Sequence, residues 1–249
     1  MFDQGSGSPV VVIPGVQGRW EWMRPALRAL ATRRRTISYS LPRVDEFDQF
    51  VAKLDATLDD RGIEKAAICG VSFGGLIALK YAATRPERTQ ALILVSAPSP
   101  SWAPSPMQAR HLARPWLSAP AFFARAPVRA WPEIAAAIDE WPSRMRFCVE
   151  HAVRVAAAPV DPSQMAKRIE LKPGPGLCAE CARVTAATLV ITGEEMLDTV
   201  VPVASTVEYT RLIPGARHET MHHTGHLGLI TQPERFAQIV SEFINATSS

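Results

Sequence analysis

The sequence predicts an α/β fold: a mostly parallel central sheet flanked by helices, carrying an inserted helical segment. Three observations point there. β-branched apolar runs alternate with helical stretches in one chain direction, the pattern of a parallel sheet covered on both faces. The chain has 249 residues, enough for one large domain and short for two. The alternation stops at Pro98 and resumes only after Thr185.

In chain order, Pro9 to Ile13 is an apolar β-branched run ending at Pro14-Gly15 and is expected to be a buried strand. Trp20 to Ala31 has helical spacing, with Trp22, Met23, Ala26, Leu27 and Leu30 on one side. Thr36 to Leu41 is a second strand. Phe47 to Arg61 is an amphipathic helix closed by Gly62. Ala66 to Val71 is a third strand, Gly74 to Thr84 an apolar helix stopped before Pro86, and Ala91 to Ser96 a fourth strand. From Pro98 to Thr185 no clear strand is visible. This stretch is rich in Pro, Ala, Arg and aromatics, including Trp102, Trp116, Phe122, Phe123, Trp131 and Trp141, more often core than substrate-lining residues. A helix fits Pro132 to Phe147, with Pro132 in its first turn. Compact domains rarely carry structureless loops of this length, so residues 98–185 are expected to form a helical cap. The core then comprises residues 1–97 and 186–249. Its second part holds a strand at Thr188 to Thr192, a helix near Pro202 to Tyr209, a short strand near Arg217 to Met221 and a final helix from Pro233 to Ile244.

Composition excludes several classes. Hydrophobic residues make up 47% and charged residues 20%, a globular balance rather than a disordered one. The net charge is +3, and the longest basic run, Arg33-Arg34-Arg35, reads as the solvated end of a helix, so no nucleic-acid partner is expected. No apolar stretch approaches the roughly 18 residues that would span a membrane. Met1 to Ser8 lacks the basic start and apolar core of a signal peptide, which makes the cytoplasm the expected compartment. The four cysteines are then expected to stay reduced. Cys178 and Cys181 form one Cys-x-x-Cys pair without a second, read as incidental. Asn245-Ala246-Thr247 is a glycosylation sequon only by pattern. No metal and no cofactor are expected.

Gly70-Val71-Ser72-Phe73-Gly74 is a Gly-x-Ser-x-Gly motif between a strand and an apolar helix. A sharp strand-to-helix turn there would strain Ser72 and lift its hydroxyl above the sheet, while Gly70 and Gly74 permit close chain approach. The competing reading is a Gly-rich turn with Ser72 as helix N-cap. A dinucleotide-binding loop would need Gly-x-Gly-x-x-Gly, which this segment lacks.

A nucleophilic serine needs a base from a loop at the carboxyl ends of the strands. His226, following Gly225, occupies such a position after the last short strand, with His218, His222 and His223 as competitors. No His-Glu-x-x-His spacing accompanies these histidines. An orienting carboxylate should follow the strand at Thr188 to Thr192, where Glu194, Glu195 and Asp198 compete. Asp198 is the favoured acid and Glu195 the next; the plainer reading of Asp198 is a turn or helix-cap residue. The chain order Ser…Asp…His is the order that suits this fold. Two backbone N–H groups should face the developing oxyanion: Phe73, after the nucleophile, and Val16, after the first strand. Pro14 has no N–H to give.

With these residues in place, the sequence resembles the α/β-hydrolase superfamily, in particular its small cofactor-free members with a helical cap. The resemblance spans nearly the whole chain. It rests on Pro14-Gly15-Val16 with Trp20, on Gly70 to Gly75, on Gly193 through Asp198 to Pro202, and on Gly225-His226 followed by Gln232-Pro233-Glu234. It implies hydrolysis of an ester or related acyl bond through an acyl-serine intermediate. Ser72 would be the nucleophile, His226 the base, Asp198 its orienting acid, and Val16 and Phe73 the oxyanion donors. The expected substrate is a small carboxylic ester or lactone. An acyltransferase and a non-catalytic ligand-binding protein remain alternatives. Three departures stand out: Pro14-Gly15 where the family commonly has His-Gly, Asp198 five residues beyond Gly193, and little room before Pro9 for an initial β-hairpin.

Overall fold

A computed structural model of the chain describes residues 1–104, 109, 113–171 and 176–247. Parts of the 98–185 stretch, and the side chain of Phe122, lie outside the described residues. Seven strands form one sheet: β1 (Phe2–Gln4), β2 (Pro9–Ile13), β3 (Arg35–Ser38), β4 (Ala66–Val71), β5 (Thr89–Val95), β6 (Ala187–Thr192) and β7 (Arg217–Thr220). Their spatial order is β1-β3-β2-β4-β5-β6-β7, and every neighbouring pair is parallel except β1 with β3.

The β-branched runs become strands because both sheet faces are covered. β4 is buried at every position. Its alternate residues go to opposite layers: Ile68 joins Val11, Leu92 and Val190, while Ala67 and Cys69 join Val10, Ile93 and Ile191. α1 (Arg24–Ala31) and α11 (Pro233–Ala246) cover one face, with Leu27, Leu30, Phe236 and Val240 inward. α2 (Asp48–Asp59) and α3 (Phe73–Thr84) cover the other, with Phe50, Leu54, Ile77 and Tyr81 inward. A short 3-10 turn, Trp20–Met23, leads into α1.

Between β5 and β6 the described residues are helical: α4 (Pro115–Ala137), α5 (Trp141–Ala157), α6 (Pro162–Glu170) and α7 (Leu177–Cys181). After β6 come α8 (Val203–Val207) and α9 (Tyr209–Leu212), and α10 (Gly228–Thr231) precedes α11. No described helix is long and apolar enough to cross a membrane.

Before Pro9 lies a single three-residue strand, β1, which pairs antiparallel with β3, Phe2 opposite Ser38, rather than forming a hairpin. Three sequence expectations are corrected here. The Arg33–Arg35 run is not a solvated helix end. Arg34 is buried and donates to Ser241 O on α11, while Arg35 lies in β3 and pairs with Asp3 at 3.1 Å. Pro132 lies deep inside α4 rather than in a first turn, together with Pro120 and Pro127. The insert aromatics are less buried than core residues: Trp116, Trp131 and Trp141 are exposed, the last two packing edge to face at 5.9 Å.

Candidate active site

The site gathers at the carboxyl edge of the sheet, where loops leave β2, β4, β6 and β7. The turn from β4 into α3 allots one residue, Ser72, to reversing the chain. It takes φ 52° and ψ −124°, in the left-handed range that costs a non-glycine residue about 1–3 kcal/mol. The backbone around it fixes that conformation: Ser72 N donates to Val95 O at 2.8 Å, and Gly75 N donates to Ser72 O at 2.8 Å. Gly74 is required by close approach, since a Cβ there would lie 2.4 Å from Ile13 O and 2.6 Å from Pro14 O. Ser72 stands at the N-cap position of α3, yet its side chain makes no capping bond. The strain therefore does not serve helix capping.

The loop after β2 runs beside this turn. A Cβ on Gly15 would lie 3.2 Å from Ser72 Cβ. Gly18 N donates to Gly15 O at 2.8 Å, closing a turn that contains Val16. Phe73 is the first residue of α3, so its N–H has no acceptor within the helix. The Phe73 ring is anchored against Phe47 and Phe50, with centroids at 6.1 and 5.7 Å.

Asp198 and His226 meet: His226 Nδ1 lies 3.2 Å from Asp198 Oδ2. The carboxylate side chain is 1% exposed and the imidazole 14%. The other carboxylate oxygen, Oδ1, accepts from Val200 N and Val201 N, both at 3.0 Å. Asp198 is thus both the turn-capping residue and the partner of His226, one oxygen for each role. Burial opposes its charge, but the His226 hydrogen bond and charge and the two backbone N–H groups outweigh burial and hold its pKa below the ordinary value. An ionised carboxylate only accepts, so His226 Nδ1 is the donor in this contact. Gly225 owes its place to close packing rather than to loop freedom: a Cβ there would meet Leu197 O at 2.4 Å and Asp198 N at 2.8 Å. Gly193 likewise abuts Gly225 and the carbonyl of Thr224. These two glycines bring the acid loop and the histidine loop together.

The competing residues face elsewhere. Glu194 Oε1 accepts from His223 N at 3.0 Å and lies 3.4 Å from His222 Nδ1, out in solvent. Glu195 is exposed. His218 Nε2 lies 2.9 Å from Thr192 Oγ1. No hydrogen bond joins Ser72 Oγ to the His226 ring among the described residues; nucleophile–base bonds are often long before substrate binds.

Two buried charged residues of the insert reach these loops, and the sequence reading found neither. Arg168 on α6 is 6% exposed; it donates to Val16 O at 2.9 Å and Leu41 O at 3.3 Å. Glu133 on α4 accepts from Gly225 N at 2.7 Å and Leu227 N at 2.6 Å. The thiol of Cys181 is buried and pushed up to about 12 by desolvation, with Cys178 adding to the rise, so Cys181 holds no ready thiolate.

The seven-stranded, mostly parallel sheet flanked by helices is an α/β-hydrolase fold. Residues 10–239 match the model of the alpha/beta hydrolase family, and the chain belongs to that family. It is an enzyme. It is 28% identical to the 2-hydroxymuconate semialdehyde hydrolase of Pseudomonas sp. (strain CF600) over 98% of this chain and 89% of that protein. The enol-lactonase of Burkholderia xenovorans LB400 shares the fold with a TM-score of 0.78 at 20% identity, covering 98% of this chain and 95% of that one. Est816, an N-acyl homoserine lactone degrading enzyme, shares it with a TM-score of 0.71 at 20% identity, covering 97% and 95%.

Proposed function

We propose that the protein hydrolyses a small carboxylic ester or lactone through an acyl-serine intermediate. The Asp198–His226 pair at 3.2 Å, on loops at the same carboxyl edge of the sheet as the strained Ser72 turn, carries this reading. Ser72 Oγ attacks the acyl carbon as its proton passes to His226 Nε2. The negative charge then gathers on the former carbonyl oxygen, where the N–H groups of Val16 and Phe73 donate to it. Asp198 stabilises the imidazolium without taking its proton. Collapse breaks the bond to the leaving oxygen, which receives the proton from His226. Water repeats the sequence on the acyl-serine and restores the free hydroxyl. The described helices between β5 and β6 act as a cap over this site.

The substrate class is our own reading from the triad chemistry. Two solved structures of the same fold belong to lactone-acting enzymes, which is consistent with it. The test is turnover of chromogenic esters and lactones of graded acyl length by wild type and Ser72→Ala. Turnover by wild type alone is expected. Equal turnover by both proteins would refute the nucleophile, and acyl transfer to an added alcohol in preference to water would move the reading to an acyltransferase.

A further inference from the structure

Glu133 is a buried carboxylate outside the Ser72, Asp198 and His226 set. It lies near the end of α4, is 3% exposed, and contributes a charge to a place where an apolar side chain would be buried more cheaply. Its Oε1 receives two hydrogen bonds, from Gly225 N at 2.7 Å and Leu227 N at 2.6 Å. Those are the peptide N–H groups on either side of His226. One oxygen therefore ties the backbone before and after that residue to a helix 92 positions away in sequence. Asp198 holds the ring from its Nδ1 side. The histidine is gripped at the backbone by the insert and at the ring by the sheet.

We propose that Glu133 is a positioning residue for His226, making the helical insert part of the catalytic apparatus rather than only a cover. The proposal rests on the Ser72–His226–Asp198 reading. With the backbone of residues 225–227 fixed, the imidazole swings only about its side-chain torsions, and the Asp198 contact selects among those. Loss of the grip lets the loop drift, and a displacement of about an ångström at a reacting group costs up to roughly a hundredfold in rate. Electrostatics adds a second effect. Burial raises the Glu133 carboxyl to a net value of about 7, with the Gly225 and Leu227 N–H groups and His226 offsetting part of the rise and Asp198 adding to it. In its ionised form it is a second negative charge, besides Asp198, that favours the imidazolium.

Glu133→Gln keeps an acceptor oxygen and removes the charge; Glu133→Ala removes both. Wild type, both variants and Ser72→Ala are compared on one chromogenic ester across pH, with thermal melts to verify folding. Glu133→Ala is expected to lose roughly tenfold to a hundredfold in kcat with KM nearly unchanged. Glu133→Gln should recover most of that kcat at alkaline pH, while its acidic limb moves to lower pH because the imidazolium has lost a stabilising charge. A folded Glu133→Ala with wild-type kcat and pH profile overturns the proposal. So does a folded Glu133→Gln that loses as much kcat as is expected of the alanine variant, since it keeps the acceptor oxygen; this decides the matter even if the alanine variant fails to fold. Activity in Ser72→Ala would instead refute the nucleophile, so the two failures are distinguishable.

Discussion

The sheet and the helical insert are held by different forces. In the sheet, β4 is buried throughout and two apolar layers close over its faces. In the insert, α5 has only partly buried and exposed residues, and α4 buries Glu133 and Ile134 while Val128 and Leu117 stand in solvent. α7 joins the apolar core through Leu177 and Cys181, but the helices before it are tied to the sheet side by polar contacts: Glu133 to the His226 loop, Arg168 to the Val16 loop, and Ala158 O accepting from Trp22 Nε1 at 3.0 Å. Apolar burial fixes a scaffold without choosing where a loop stops, because it is non-directional. Hydrogen bonds from buried charges are directional, and here they end on the two loops that matter for chemistry. α4 and α5 are lightly packed, yet α4 is specifically attached.

The largest effect that tests this division is on the sheet side. Asp198→Asn should keep the fold but lower kcat by about four orders of magnitude, some 5 kcal/mol in the barrier, because the imidazole loses its productive tautomer. Near-normal activity would move the orienting role away from Asp198. Next is the core. Ile68→Ala in β4 should cost about 2–5 kcal/mol in denaturant unfolding, whereas Val149→Ala on α5, 59% exposed, should change stability by less than about 0.5 kcal/mol. Comparable losses would show the insert to be packed as the sheet is.

A smaller effect addresses the polar attachment. Arg168→Met leaves Val16 O and Leu41 O without their donor and should cost about 1–3 kcal/mol, with kcat falling more than KM rises. Unaltered kinetics would separate α6 from the oxyanion loop. The smallest effect concerns pH. His151 on α5 stacks on Phe147, and burial, with Arg154 nearby, pulls its pKa from 6.5 to about 4. Its folded-state value is depressed, so the stability it contributes is full above pH 6.5 and is lost as pH falls toward 4. His151→Phe should remove up to about 2 kcal/mol of that acid sensitivity in melts across this window. An unchanged pH dependence would place the acid-labile group elsewhere.

What the sequence made legible follows the same division. The β-branched runs and the Ser72 turn are local patterns, so strand, turn and helix are visible from neighbouring residues. Asp198 and His226 emerge from chain order and from the strands they follow. Arg34 was misread because its role depends on Ser241, 207 residues away, and a triple-arginine run looks the same whether α11 covers it or not. Glu133 and Arg168 carried no signal for the same reason: a single charge on a helix has no pattern, and their partners lie 92 and 152 positions distant. Pro132 was expected to start a helix because proline suits a first turn; three prolines inside one helix defeat that rule.

The central claim is that Ser72 forms a covalent acyl intermediate. The most direct measurement is peptide mapping by mass spectrometry after exposure to a serine-reactive phosphonate ester, alongside ester turnover. The account predicts a single adduct on the peptide carrying Ser72, loss of turnover in step with its formation, and no adduct in Ser72→Ala. An adduct on another residue, or full turnover by protein fully modified at Ser72, would contradict it.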